Sequence, residues 1–334
     1  MLKVGLIGCG GMGSFHAACY GALRDRVELV AIADLDESKS KAATEKFGGK
    51  IYSSAQELID NAEVDIIDIC LPTYLHTEYA VKAMEKGCHV FLEKPVCLNL
   101  EQAKMLLDAQ ERTGKKVQIG QVVRFFKEYK WVKEAYDNGT YGKVLSASFI
   151  RRSQKVTWGW ENWYHKPECS GSMALDLHIH DVDFIRYLLG EPDEVCSSNA
   201  TRSDDGVIQQ IYTTYRFGDT IVTSEGCWDY PICFPFSAGF TVKFEKATVI
   251  LANGVLTVYP ESGEKFSPEL SENFEGEVEG INLSGLGPYY DELEHFVNTV
   301  ENDLPVTIAP LSEAVKSLEL DFKEIALAGG IVKK

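Results

Sequence analysis

The chain has 334 residues, 45% hydrophobic and 25% charged, which is apolar material for about two domains and too much for a disordered polymer. Its 50 acidic against 33 basic residues leave a formal charge of -17, which repels phosphate backbones and anionic membranes over most of the surface and argues against nucleic acid or membrane as a main partner. Nine scattered cysteines without a Cys-x-x-Cys pair fit a reducing compartment. The first residues show no charged leader, and no window reaches the roughly 20 apolar residues of a membrane span, so a cytoplasmic protein is expected.

From residue 1 to about 120, short β-type runs alternate with helix-type stretches. The runs Lys3 to Ile7, Glu28 to Ala33, Asp65 to Cys70, His89 to Leu92 and Val117 to Gly120 lack the clean alternation of a half-wet sheet, as parallel strands covered on both faces do. Ser54-Ala55-Gln56-Glu57 is a capping box, and Asn99 caps a helix through Ala103, Leu106 and Leu107 that Gly114 stops. Right-handed crossovers then put helices on both faces of a doubly wound sheet over residues 1–123.

The rhythm changes after residue 124. Helices are predicted from Lys127 to Tyr136 and from about Met173 to Leu189. Strands follow at Ile211 to Phe217 and Thr220 to Ser224, joined by Gly218-Asp219, and at Phe240 to Phe244, Ala247 to Leu251 and Val255 to Tyr259, with Asn253-Gly254 a type I′ hairpin signal. Pro260 to Glu279 is acidic and glycine-rich, a surface excursion. Helices at about Tyr289 to Val300 and Leu311 to Leu327 close the chain. Residues 124–334 are thus expected as an α+β domain on a large, mainly antiparallel open sheet, its final helix able to pack back on the first domain.

Gly8-Cys9-Gly10-Gly11-Met12-Gly13 follows the first strand and opens the first helix. Gly8 permits a tight turn, Gly10 lets the backbone approach a pyrophosphate and Gly13 allows close helix–strand packing, while free N–H groups at the helix start suit phosphate. Asp34, 21 residues after Gly13, ends the second strand, where a carboxylate hydrogen-bonds the ribose hydroxyls of an adenosine. No arginine follows to accept a 2′-phosphate, only Leu35-Asp36-Glu37, so NAD is favoured over NADP.

Lys94, in Glu93-Lys94-Pro95, directly follows the strand ending at Leu92, and Pro95 keeps it out of the α region. An ammonium there can stabilise charge developing on a carbinol oxygen. Asp176 and His180, spaced i,i+4 at the start of a predicted helix, share a face; the carboxylate can orient the imidazole, which accepts a hydroxyl proton near neutral pH. Asp183 extends that face and His178 turns away from it. The bland alternative is an acid-rich first turn serving the helix dipole. A metal site on Asp176, His178 and His180 is set aside because 178 and 180 point to different faces.

The glycine run with His16, then Pro72 and His76, then Ala83-Met84-Glu85-Lys86-Gly87-Cys88-His89-Val90-Phe91-Leu92-Glu93-Lys94-Pro95, Gly139-Thr140-Tyr141-Gly142-Lys143, and Gly171 through Asp183 resembles the glucose-fructose oxidoreductase and inositol dehydrogenase (Gfo/Idh/MocA) superfamily over nearly the whole chain. The resemblance implies a Rossmann domain and an NAD-dependent oxidoreductase of carbohydrate metabolism that acts on CH–OH groups. It implies Lys94, Asp176 and His180 as the catalytic set, and Gly8, Gly10, Gly11, Met12, Gly13, Asp34, Pro72, His76, Glu93 and Lys94 around the cofactor. Self-association as a dimer or tetramer through the open sheet is also implied, with Tyr212, Tyr215 and Phe217 as apolar cover. Ser170-Gly171-Ser172-Met173 carries one glycine where the family often has a run, so a sugar or polyol in general is expected rather than inositol itself. Trp158, Trp160, Trp163 and Tyr164 either stack on a sugar ring or pack the sheet edge. An NAD-retaining glycosidase or epimerase and a non-catalytic nucleotide-binding regulator are the alternatives.

Overall fold

Six parallel strands build the first sheet: β1 (Leu2–Ile7), β2 (Val27–Ala33), β3 (Lys50–Tyr52), β4 (Ile66–Ile69), β5 (His89–Glu93) and β6 (Val117–Gly120). Their order, β3-β2-β1-β4-β5-β6, is that of a doubly wound dinucleotide fold and reverses direction between β1 and β4. The five expected strands are all present. The short edge strand β3 is new, since Lys50-Ile51-Tyr52 is too brief to show a period.

The computed structural model describes residues 1–270 and 287–332. Helices α1 (Gly11–Ala22), α2 (Glu37–Phe47), α3 (Ala55–Asn61), α4 (His76–Lys86) and α5 (Leu100–Thr113) connect the strands. Their ends follow local chemistry. Ser54 accepts the Glu57 N–H at 3.1 Å while the Glu57 carboxylate accepts the Ser53 N–H at 2.7 Å, and Asn99 caps α5 by accepting the Gln102 N–H at 2.9 Å. Gly87 and Gly114, both left-handed, end α4 and α5.

The second unit begins with α6 (Lys127–Asp137) and the long strand β7 (Val144–Gln154). After α7 (Pro167–Ser170) the segment expected as one helix from Met173 divides into a π-turn, Ala174–His178, and α8 (Ile179–Leu189). Strands β8 (Glu194–Arg202), β9 (Ile208–Phe217), β10 (Thr220–Tyr230), β11 (Ser237–Phe244), β12 (Ala247–Ala252) and β13 (Val255–Pro260) complete a seven-stranded sheet ordered β13-β12-β11-β7-β10-β9-β8. It is mixed: β7 and β10 run parallel and every other pair antiparallel. Asn253 and Gly254 both have positive φ, as a type I′ turn requires. The inner face packs Tyr129 edge to face against Phe184 and Phe240, and Phe149 tilted against the same two rings, with centroids 4.7 to 6.1 Å apart. Tyr215 lies on this inner face, fully buried, and Phe217 shares its parity, which corrects their expected place on the open side; Tyr212 alone of the three is exposed.

The last helices are α9 (Gly287–Glu301) and α10 (Leu311–Leu327). Residues 1–125 with 287–315 form one unit, and residues 126–270 with 316–332 the other. The linear division put α9 with the second domain. It packs instead with the first, Tyr289 against Phe15 at 5.5 Å and Phe296 against Phe91 at 5.8 Å, because its apolar face is matched by residues more than 200 positions earlier. The expected excursion from Pro260 to Glu279 is irregular through residue 270, apart from a bridge between Val258 and Phe266; its remainder lies outside the described residues.

Gly239 of β11 passes so near β12 that a Cβ would stand 2.3 Å from the Leu251 carbonyl oxygen. Gly239→Ala should therefore lower the unfolding free energy by about 1–3 kcal/mol in urea titration. An unchanged midpoint would contradict this packing.

Candidate active site

The nucleotide end is built by backbone contact. Gly8 has φ +91°, and a Cβ on it would meet the Cys70 carbonyl oxygen at 2.4 Å; a Cβ on Gly13 would stand 1.8 Å from the Gly8 carbonyl oxygen. Only glycine fits either position. Gly10 faces open space, no side chain caps α1, and no acid lies in its first turn, so the first N–H groups of the helix are left for an anionic ligand. Asp34, after β2, is fixed from both sides: the Cys9 N–H donates to Oδ2 at 2.7 Å and the Asp36 N–H to Oδ1 at 2.8 Å. Each oxygen keeps a further lone pair for a hydroxyl donor.

Behind this turn lies a charged knot. Ile67 and Ile69 of β4 point to one face of the sheet, whereas Asp68 points with Ile66 to the other, fully buried. His16 of α1 places Nδ1 2.8 Å from Asp68 Oδ2 and Nε2 3.2 Å from Glu93 Oε1, while Tyr20 donates to Asp68 at 2.9 Å. Burial opposes a charge on His16, but the Asp68 carboxylate, with Cys70 alongside, overrides it and holds the imidazole well above its ordinary range. Burial pushes the Tyr20 phenol and the Cys70 thiol up, so both stay protonated.

The Glu93-Lys94-Pro95 turn leaves the carboxyl end of β5, and the Lys94–Pro95 bond is cis. The Lys94 N–H donates to Glu93 Oε2 at 3.2 Å. His76 faces two carbonyl oxygens, Pro95 at 2.8 Å from Nδ1 and Leu71 at 2.7 Å from Nε2. Burial pushes this ring below its ordinary range against the pull of both carbonyls, and a neutral ring donates to only one of them. His76 therefore ties the turn before Pro72 to the Lys94 turn. Gly8, Gly10, Gly11, Met12, Gly13, Asp34, Pro72, His76 and Lys94 all follow carboxyl ends of β1, β2, β4 and β5, and Glu93 is the last residue of β5.

Asp176 and His180 belong to the second unit. Gly171 (φ +72°) and Ser172 (φ +68°) are both left-handed, and a Cβ on Gly171 would meet Leu175 at 2.3 Å. Ser172 takes a conformation that glycine adopts without strain, and the Ser170 hydroxyl accepts its N–H at 3.0 Å. Asp176 is buried inside the π-turn and His180 half-buried on α8, so the i,i+4 pair expected within one α-helix runs across the junction of the two. His178 turns away, toward Glu324. Asp183, three residues after His180 on α8, is buried and accepts from the Ser317 hydroxyl at 2.8 Å. The aromatic run divides, with Trp158 and Trp160 about half exposed, Trp163 stacked on Tyr164 at 4.0 Å and Tyr164 edge-on to Trp228.

Residues 2–121 match the model of an oxidoreductase family with an NAD-binding Rossmann fold, and residues 129–250 match the Gfo/Idh/MocA C-terminal domain. The chain belongs to the Gfo/Idh/MocA family. Its first unit is the family's NAD-binding domain, and the glycine turn and pinned Asp34 fit that cofactor. Relatives include glucose-6-phosphate 3-dehydrogenase of Bacillus subtilis, 31% identical over 62% of this chain and 59% of that one, and myo-inositol 2-dehydrogenase of Thermotoga maritima, 31% identical over 62% and 60%. The matches thus span about three fifths of these relatives' length. The fold is also that of a levoglucosan dehydrogenase solved with NADH and levoglucosan (TM-score 0.86, 20% identity, 98% and 97% covered) and of UDP-N-acetylglucosamine 3-dehydrogenase from Acidithiobacillus ferrooxidans (0.80, 19%, 99% and 98%).

Sequence reasoning missed Asp68, Tyr20 and Cys70 as partners of His16 in this Gfo/Idh/MocA domain. The signal was present: an aspartate inside the apolar run Ile66-Ile67-Asp68-Ile69 needs a buried partner. A histidine whose folded pKa is raised contributes stability that is fully present below its unfolded value of about 6.5 and lost as pH rises through the folded value. Asp68→Asn should cost about 3–5 kcal/mol at pH near 6. It should also flatten the decline in stability that wild type shows between pH about 6.5 and 8.5, below the range of ordinary thiols and phenols. Denaturant titration across that range checks both; parallel pH profiles would contradict a charged His16.

Proposed function

We propose that this Gfo/Idh/MocA protein is an NAD-dependent dehydrogenase that oxidises a secondary hydroxyl of a sugar, sugar derivative or cyclitol. The observation that carries the reading is Lys94 at the carboxyl end of β5, two strands from the glycine turn after β1 in an NAD-binding sheet. The dehydrogenase names of the relatives support it, since those proteins act on glucose 6-phosphate and myo-inositol.

Bound nicotinamide supplies the hydride acceptor. Lys94 stabilises the negative charge that develops on the carbinol oxygen. His180 takes the hydroxyl proton at an imidazole nitrogen, and Asp176 orients that ring and favours its charged form. In the reverse direction His180 returns the proton. Asp34 holds the adenosine ribose and repels a 2′-phosphate, which favours NAD over NADP.

Nine free cysteines support a reducing, cytoplasmic setting, and among the described residues no helix is long and apolar enough to cross a membrane. Exposed Tyr212 and Ile221 on the outer face of the seven-stranded sheet support self-association as a dimer or tetramer through that face.

Lys94→Ala should lower kcat about 10²–10³-fold, and His180→Asn about 10²–10⁴-fold, each with NAD affinity within a few-fold of wild type by fluorescence titration. Wild-type turnover in either variant would remove that residue from the mechanism. Asp34→Ser should raise the NADP to NAD ratio of kcat/KM by at least roughly ten-fold, the equivalent of one hydrogen-bonded charge contact; an unchanged ratio would contradict the role of Asp34. Product formed with no reduced nicotinamide released would point instead to an NAD-retaining glycosidase or epimerase.

A further inference from the structure

Apart from the residues assigned to the reaction, the second unit buries a group of ionisable side chains. His178 at the end of the π-turn, Tyr215 of β9, and Asp321 and Glu324, one turn apart on α10, are all at zero exposure. His178 Nε2 lies 2.8 Å from Glu324 Oε2, and the Tyr215 hydroxyl donates to Glu324 Oε1 at 2.6 Å. Glu324 therefore has a partner for each oxygen. Asp321 does not: neither of its oxygens has a hydrogen-bond partner among the described residues, although ligand atoms of His178, Asp321 and Glu324 all lie within 4.8 Å of one another. His178 Nδ1 likewise has none. Room for that ring exists because residue 226 is glycine; a Cβ there would stand 2.9 Å from Nδ1.

Buried polar groups in folded proteins are satisfied by protein, water or an ion. A carboxyl group beside a second carboxylate, with no donor from the chain, calls for a positive partner or a proton. Asp321 is fully buried next to Glu324 with neither oxygen satisfied by the chain, so its ionised form needs a cation close by. One imidazole and two carboxylates form a donor set suited to a borderline divalent ion, with bonds of about 2.0–2.2 Å that small side-chain adjustments bring within reach.

We propose that His178, Asp321 and Glu324 form a binding site for a divalent transition-metal cation, zinc(II) or manganese(II), that joins α10 to the π-turn. Tyr215 orients Glu324 from behind, as outer hydrogen-bond donors do for metal-bound carboxylates. His178 lies between Asp176 and His180 in sequence, so the cation fixes the turn that carries both. The site does not depend on which substrate, if any, the protein oxidises.

The test uses the full untagged chain, purified without chelator and then stripped with one. Metal analysis of the unstripped protein should find stoichiometric zinc or manganese. Adding zinc(II) or manganese(II) back to the stripped protein should raise its melting temperature, and cobalt(II) should give ligand-field absorption bands. Asp321→Asn, which keeps the shape and removes the charge, should weaken binding by at least roughly 100-fold and abolish the bands. Should that variant fail to fold, Glu324→Gln serves in its place, and the titration of stripped wild type stands by itself. The proposal is overturned if stripped wild type gives no cobalt bands and no shift with either metal. It is equally overturned if Asp321→Asn melts as high as wild type with the same metal response, the result expected when Asp321 only holds a buried proton.

Discussion

At the first turn of the chain the backbone of residue 13 passes so close to that of residue 8 that no side-chain atom fits between them. That contact seats the start of α1 on β1, and the Gly8 contact with the Cys70 carbonyl seats the same turn on β4, the neighbouring strand at the point where the sheet order reverses. Much follows from it. The Cys9 N–H reaches Asp34, which holds that carboxylate at the end of β2. One turn into α1, His16 is carried over β4 to meet Asp68 and Glu93. The glycine turn, the Asp34 carboxylate and the Glu93-Lys94-Pro95 segment are therefore parts of one packed assembly, joined by main-chain contact on one side and by a buried imidazole on the other.

Both units bury charge and pair it directly. In the first, a single imidazole stands between two carboxylates. In the second, Arg151 meets Asp181 through two bonds of 3.0 Å, and Arg186 donates to the Ser317 hydroxyl, which in turn donates to Asp183. A buried ion pair is weak evidence for stability, but breaking one is costly, so such pairs fix position more than they add free energy.

Five of the six strands of the first sheet were legible because each is largely apolar on both faces and they are separated by helices with their own caps: Ser54, Asn99 and Gly114 act as their residue types predict. The glycine turn was legible because three glycine positions, a strand before and a helix after it occur in order. The long strands β7 and β8 were not, since Val144–Gln154 and Glu194–Arg202 alternate polar and apolar residues on a half-exposed sheet and mix Ser, Arg and Asn into the pattern. The parallel pairing of β7 with β10 joins residues about 75 positions apart and leaves no local trace. The π-turn was hidden for a related reason. Its residues are ordinary helix formers and give no local signal of a π-turn, which begins two residues after the left-handed pair Gly171 and Ser172. Lys94 was found by its place after a strand, but Asp68 was passed over as part of an apolar run.

The central claim is that the family's nucleotide domain here serves the oxidation of a polyol carbinol. It is tested most directly by incubating the purified protein with a panel of sugars, sugar phosphates and inositols, with NAD and NADP in parallel, and following the absorbance of reduced nicotinamide. The account predicts a substrate-dependent rise with NAD and a much smaller one with NADP. Tight binding of NAD with no reduction by any polyol in the panel, or a response to NADP alone, would contradict it.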